Sequence, residues 1–495
     1  MNPTTDNTVA LVKEALFGPQ NAIAKSITQA TGLVAYDLQA PALSLFPVIT
    51  PLRNRIPRVK ANGGTATNWR SITGINTGHT SAGVSEGNRG AIVTTGTQNN
   101  VAMYKGLGLE DNVTFEADYA AETFEDVKAL AVRNLLSAVM IAEEKKIIGG
   151  NSGSLCQLGT TPTPALVASG SGSSLTGTAY TVQCIALTHA GYLNSSVVPT
   201  ASNPSGGVQA VVTKTNADGS TDTFGGGSAQ ISAATTITPA AGNNITATAA
   251  AVKGAVAYGW YWGTGGTAYL GSITTTNQVV ISAAATGTQT AASMPGADNS
   301  GDALSFDGLI SQICATTSTS GSYYAALNAG ATLTSNGAAG VVEINTALSS
   351  FWNNYNLSPD LMLVNSQELQ NLTTKVLGSG GASLFRFNQN GAGGTIRGNE
   401  VIGSYLNPFT MSGGAEIEIA LHPNVPPGTI LFMSRSIPYP LSNVPNVLQM
   451  KVRQEYYQLE WTKRSRRYEY GVYCDEVLQN YFPPAFGMIT NITNG

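Results

Sequence analysis

The chain has 495 residues, 55 of them glycine, and only 11% are charged, against about 25% in a typical soluble protein. Its 25 lysines and arginines and 29 aspartates and glutamates leave a net charge of −4, so the chain as a whole has no electrostatic drive toward nucleic acid or an anionic membrane. The four cysteines (Cys156, Cys184, Cys314, Cys474) form no CxxC or Cys/His cluster, the three histidines (His79, His189, His422) lack metal-ligand spacing, and no run of ~18 apolar residues is present, which sets aside zinc, disulfide-framework and membrane-spanning classes.

The length predicts two or three domains. Low charge with much Gly, Ala, Ser and Thr predicts β-rich structure whose surfaces are covered by copies of the same chain. MNPTTDNTVALVKEAL has no basic n-region followed by an apolar run, so synthesis in a cytoplasm with four reduced thiols is expected.

Residues 1–58 read as an arm. A short amphipathic piece (Val9, Leu11, Val12, Ala15, Leu16) precedes a stretch punctuated by Pro41, Pro47, Pro51 and Pro57, which biases the backbone to extended conformations. Arg53, Arg55 and Arg58 cluster at its end, with Lys60, and are read as contacts to a neighbouring subunit. Residues 59–121 read as a long two-stranded excursion. Thr65–Ile72 forms one strand, and the return runs through 91–94 and 101–104 to 113–115. The tip, Gly78–Gly90, includes Gly78, His79, Glu86 and Arg89. A ribbon this long is marginal alone. Glu110, Asp111, Glu116, Asp118 and Glu122 lack the glycine-centred loop of a calcium site.

Residues 122–159 contain the best helix signal, Thr123–Ile148. Thr123 is a candidate cap, and Glu125 and Asp126 suit the first turn. Val132, Leu135, Leu136, Val139 and Met140 predict one apolar packing stripe, with burial contributing roughly 8–15 kcal/mol before entropy. Lys145 and Lys146 fall in the last turn, and Gly149-Gly150 ends the helix.

From 160 to 303 charge nearly vanishes. Strand candidates 180–187, 208–212, 257–262 and 278–281 alternate with turns, the pattern of a small antiparallel sandwich. The stretches GTAYTVQCIALTHAGY (177–192) and AVAYGWYWGTGGTAYLG (255–271) resemble a fibronectin type III or immunoglobulin-like module, here inserted into a host domain. The host resumes over 304–335. Residues 336–440 carry helices at 338–355 and 367–377, the second capped by Ser366. They also carry strands at 361–364, 417–419 and 430–433 and a glycine-rich loop at 378–394. Residues 441–495 end the chain in aromatic strands.

Lys463, Arg464, Arg466 and Arg467, flanked by aromatics, could meet phosphate, but a charged turn between strands, contacting the same or a neighbouring chain, is the favoured reading. Gly378–Ala382 follows a helix and lacks GK[ST], so it is not a P-loop. No residues are nominated as catalytic, cofactor-binding or metal-binding, and no enzyme activity is expected.

Taken in order, the arm, the excursion into AVRNLLSAVMIAEEKKIIGGN (131–151), FDGLISQI (306–313), SPDLMLVNSQELQNL (358–372) and ALHPNVPPGTILF (420–432) with the terminal strands resemble the major capsid protein of tailed bacteriophages, the Hong Kong 97-type fold. The resemblance covers roughly 20–159 and 304–490. It implies an α+β fold with N-arm, extended β loop, spine helix, and peripheral and axial domains, carrying an all-β insertion. It also implies pentamers and hexamers in an icosahedral shell around double-stranded DNA, held without sequence-specific binding. Portal, scaffolding and decoration proteins are the implied partners, the location is the virion, and assembly takes place in the bacterial cytoplasm. The sequence departs from some family members in having no lysine between Lys60 and Lys105 for a loop cross-link. Its short arm also implies a separate scaffolding protein or none. The competing readings are an encapsulin-like compartment with the same fold and, from another class, an Ig-like surface adhesin.

Overall fold

The computed structural model describes residues 47–75, 83–90, 92–122, 125–200, 203–294, 296–317, 320–378, 402–411, 413–440, 442–463 and 465–494. The amphipathic piece of the arm, the Thr123 cap, Gly78, His79, Arg464 and the glycine-rich loop beyond Gly378 lie outside the described residues. Two compact units are present. The smaller includes the helix Phe115–Ala121. The larger, 48–114 and 128–495, holds everything discussed below.

The long helix spans Val127–Gly149. Its buried side follows a four-residue repeat: Ala131, Leu135, Val139, Glu143 and Ile147, with Glu144 and Ile148 alongside. Of the five residues expected to pack, Leu135 and Val139 are fully buried, while Val132, Leu136 and Met140 are half-buried. The stripe is therefore narrower than the sequence suggested, and in its last two turns two carboxylates take apolar positions. The terminal glycines serve close approach rather than a left-handed cap. A Cβ at Gly149 would meet the His189 ring at 2.2 Å, and one at Gly150 would meet the Phe306 carbonyl oxygen at 2.4 Å.

Two host sheets flank this helix in sequence. The first has four strands in the order Arg58–Lys60, Leu448–Glu460, Arg467–Asn480, Lys105–Thr114. The short strand pairs parallel and the rest antiparallel. The strand Lys105–Thr114 thus leaves the ribbon at Tyr104 and joins the terminal hairpin. The Tyr473 ring lies over Gly108, where a Cβ would sit 2.1 Å from it, and its hydroxyl hydrogen-bonds Glu110.

The second sheet has six strands in the order Tyr323–Ala326, Phe486–Thr490, Ile430–Met433, Leu361–Val364, Ala415–Leu421, Ser404–Asn407. Its inner strands Leu361–Val364, Ile430–Met433 and Phe486–Thr490 are buried on both faces, as continuous apolar runs require. It takes strands from 323–326 and 486–490 as well as from 336–440. The helix Val342–Tyr355 buries Ile344, Ala347, Leu348 and Phe351 and ends at Asn356, whose left-handed φ of 50° lets its N–H return to Trp352 O. The helix Ser366–Gly378 follows Leu361–Val364 directly.

Residues 160–303 form a three-stranded antiparallel sheet (Gln278–Ile281, Asn244–Thr248, Ala165–Ser169), a four-stranded one (Tyr269–Thr274, Ala257–Thr264, Tyr180–Leu187, Thr235–Ile237) and the hairpin Val211–Thr215/Thr221–Gly225. The two central strands are buried on both sides. Val182, Cys184, Ala186, Tyr258, Trp260 and Trp262 belong to the same core as host residues Ile310 and Cys314, while Ile185, Leu187, Ala257 and Tyr261 pack under the 197–210 and 285–294 segments. Gly254 shows how tight the junction is: a Cβ there would lie 2.5 Å from Cys156 Sγ. The segment is thus an integral part of the core of the larger unit. Deleting 160–303 is expected to expose the host face around Ile310 and Cys314 and yield insoluble protein. Recovery of a soluble, cooperatively melting deletion variant would contradict this.

Candidate assembly surface and its buried charge anchor

The excursion is a ribbon, Ala66–Ile75 paired antiparallel with Thr95–Met103. Register divides its faces, because directly opposed residues share a side. Ala66/Met103, Asn68/Val101, Arg70/Asn99 and Ile72/Thr97 lie on one face, Thr67/Ala102, Trp69/Asn100 and Ser71/Gln98 on the other. The second face turns toward the body at its base: Thr67 is buried, and the Trp69 ring sits edge-on to Tyr481 at 6.0 Å. The first face is open and mixed, with Ile72, Val101 and Met103 exposed by 72, 61 and 65% among Asn68, Arg70, Asn99 and Thr97. Three large apolar side chains this exposed on one ribbon face make it the candidate contact surface. Beyond the bulge at Ile72/Gly74, Glu86 and Arg89 are exposed.

Below the ribbon, the helix Pro51–Arg55 is fixed to the long helix by charge. Glu144, fully buried, accepts from the N–H groups of Leu52 (2.9 Å) and Arg53 (2.7 Å). The carboxylate therefore satisfies donors that a helix start leaves unpaired. His422 Nε2 lies 2.5 Å from the same Glu144 oxygen, and its Nδ1 accepts from Asn424 N–H at 3.1 Å. With Nδ1 an acceptor, the proton sits on Nε2 and His422 donates as a neutral imidazole.

Glu143, also fully buried, takes the Arg53 guanidinium at 2.7 Å, the Arg58 guanidinium and the Tyr456 hydroxyl. Arg58 also reaches Glu476 at 2.9 Å and Glu455 at 2.8 Å. Both guanidiniums lie over the Tyr456 ring, 5.2 Å from its centroid. Burial opposes the Arg53 charge, but Glu143 and Tyr456 outweigh it and raise its pKa.

The structure thus places Arg53 and Arg58 on partners inside the chain, and Arg55 on Glu418 at 2.6 Å in a solvent-exposed pair. These three were expected to meet a neighbouring subunit. Glu143 and Glu144 went unnoticed in the sequence, although two adjacent glutamates four residues beyond the buried Val139 stripe, and an arginine cluster in search of partners, were the available signals. Lys463, Arg466 and Arg467 fall at the exposed turn between Leu448–Glu460 and Arg467–Asn480. The ammonium groups of Lys463 and Lys128 lie 4.2 and 4.1 Å from the Tyr468 ring centroid.

His189 ties the 160–303 segment to this anchor. Its Nε2 meets Asn424 O at 2.7 Å, and burial lowers its pKa to about 4. The unfolded chain takes up this proton below 6.5 and the folded chain does not until about 4, so stability is lost as pH falls through that window. A His189→Gln variant is expected to show a shallower drop in thermal midpoint between these pH values than the native chain. Equal drops would assign the acid sensitivity elsewhere.

Among the described residues, no three His, Cys, Asp or Glu side chains converge as a metal site, and no helix is long and apolar enough to cross a membrane. No family model matches the sequence, and no curated protein does. Among solved structures the chain is similar to the capsid of Myoviridae phage XM1 (10% identity, 94% of this chain and 99% of that one, TM-score 0.39). It is likewise similar to the capsid of a native GTA particle (9% identity, 95% and 99%, TM-score 0.40). A third similar structure is the holo-SrpI encapsulin complex of Synechococcus elongatus PCC 7942 (9% identity, 95% and 97%, TM-score 0.39). Likenesses at this level leave the functional reading to the chain's own geometry.

Proposed function

We propose that this chain is a shell subunit that works by self-assembly, with a Hong Kong 97-type arrangement of extended β loop, spine helix (Val127–Gly149) and two host sheets around an immunoglobulin-like insertion. Within that class it is the major capsid protein of a tailed bacteriophage, forming the pentamers and hexamers of an icosahedral shell that encloses double-stranded DNA. The supporting observation is the ribbon, which is anchored at its base and presents Ile72, Val101 and Met103 to solvent. A neighbouring copy covering that row removes apolar surface from water, and repetition under closed symmetry turns a modest contact into a shell.

The roles of the other elements follow from this reading. The arm and the exposed Lys463–Arg467 turn meet adjacent subunits, while Arg53 and Arg58 hold the arm's root within the chain. A net charge of −4 suits a container that holds DNA without gripping it. Portal, scaffolding and decoration proteins would be its partners.

The nucleic-acid content of nuclease-treated particles from the native source tests the reading against an encapsulin-like compartment. Protected double-stranded DNA of uniform length is expected. Particles holding a protein cargo and no DNA would replace the capsid reading with the compartment.

A further inference from the structure

We propose that the root of the arm, residues 51–60, is latched to the body by a proton shared between Glu476 and Glu143, and that loss of this proton releases the segment. The geometry requires an uneven charge count. Three carboxylates, Glu143, Glu144 and Glu476, are fully buried against two guanidiniums, Arg53 and Arg58, which meet Glu143 and Glu476, while Glu144 meets backbone N–H groups and His422. The groups converge from every element packed there: Arg53 and Arg58 from the root, Glu143 and Glu144 from the long helix, Glu455 and Tyr456 from Leu448–Glu460, Cys474 and Glu476 from Arg467–Asn480, and His422 behind Glu144.

Glu144 is satisfied by two backbone N–H groups and His422. Glu476 is not. Its Oε2 takes Arg58, but its Oε1 is buried with no donor, and the Glu143 carboxylate lies within hydrogen-bond reach. Two ionised carboxylates cannot share such a pocket, so one keeps its proton and donates it to the other. A proton on Glu476 fills the vacant hydrogen bond and leaves two negative charges against two positive ones.

Burial, then the nearby Glu143, push the Glu476 carboxyl up from 4.5 to about 8. Between these values the folded chain holds a proton that the unfolded chain has lost, so stability falls as pH rises through the window. Ionised Glu476 needs water, and the least costly way to admit it is to lift the strand Arg58–Lys60. That strand lies at the sheet edge and pairs through only three residues, Arg58↔Met450 to Lys60↔Val452.

The test is hydrogen exchange of the full chain, followed on peptides spanning 50–61 and corrected for intrinsic rates, from pH 6 to about 9.5. In the native chain the opening fraction is expected to rise about tenfold per pH unit from pH 6 to about 8 and to level off above that, as release of one proton on opening dictates. Glu476→Gln keeps the neutral shape and is expected to hold protection flat. A flat native profile, or the same rise in both chains, would overturn the proposal. If Glu476→Gln fails to fold, infrared spectroscopy of the native chain decides: a protonated-carboxyl C=O band present at neutral pH and lost near pH 8 supports the latch, and its absence at neutral pH refutes it.

Discussion

Arg58→Met is expected to destabilise the protomer by about 3–5 kcal/mol, the cost of removing one partner from a buried charge cluster. Arg58 is the residue on which three carboxylates converge: Glu143, Glu476 and the more exposed Glu455. Methionine replaces the volume of its stem but none of its donors. Glu143 is then left with Arg53 and Tyr456, and Glu476 loses its only donor. In a marginally stable protein this is a large fraction of the total, so much of the variant should be found in the insoluble fraction. The soluble remainder should melt at a markedly lower temperature. Adding Glu476→Gln should recover part of the loss, because the carboxyl group left without its donor is then replaced by an amide, giving a non-additive double-mutant cycle. A change below about 1 kcal/mol for Arg58→Met, the range of an exposed pair, would show that the cluster does not anchor the arm's root.

Ile72→Asp combined with Val101→Asp is expected to do the opposite: leave the protomer folded and abolish particles. Both side chains lie on the open ribbon face and are largely exposed, so the folded chain loses little, within about 0.5 kcal/mol per site. In a shell each would be covered by a neighbour. Losing two apolar contacts removes roughly 3–6 kcal/mol per interface, and burying two carboxylates adds a further penalty. Every subunit carries the change, so the loss repeats around each ring. The expected result is an unchanged circular dichroism spectrum and melting temperature of the protomer, with assembly products missing from a sizing column. Normal particles from this variant would mean that the ribbon face is not an interface.

The contrast between these two variants shows what could be read from the sequence. The ribbon, the long helix and the strands at 180–187, 257–264, 361–364 and 430–433 were legible because period-two and period-3.6 patterns are local. The anchor was not legible, because nothing local distinguishes Glu143 and Glu144 from glutamates on a solvated face. Their burial depends on Pro51–Arg55 and the terminal strands, separated from them by some 90 and 300 residues in the chain. The pairing of Lys105–Thr114 with Arg467–Asn480, and the place of Phe486–Thr490 inside the six-stranded sheet, are equally non-local.

The low charge of 160–303 suggested surface covered by other copies of the chain, whereas the cover seen within the chain is the host itself. Cys184 and Trp260 share a core with Ile310 and Cys314, which the pattern of a module inserted into a host domain did not suggest. Gly149 and Gly150 were legible as a helix end but not for their physical reason, which is contact with the His189 ring and the Phe306 carbonyl.

Electron microscopy of the purified recombinant chain at high concentration decides whether the chain builds a shell. Closed icosahedral particles are expected, with each subunit's ribbon lying over a neighbour and its Ile72, Val101 and Met103 covered. A well-folded protein that stays monomeric under these conditions, with the ribbon face open to solvent, would contradict the shell reading.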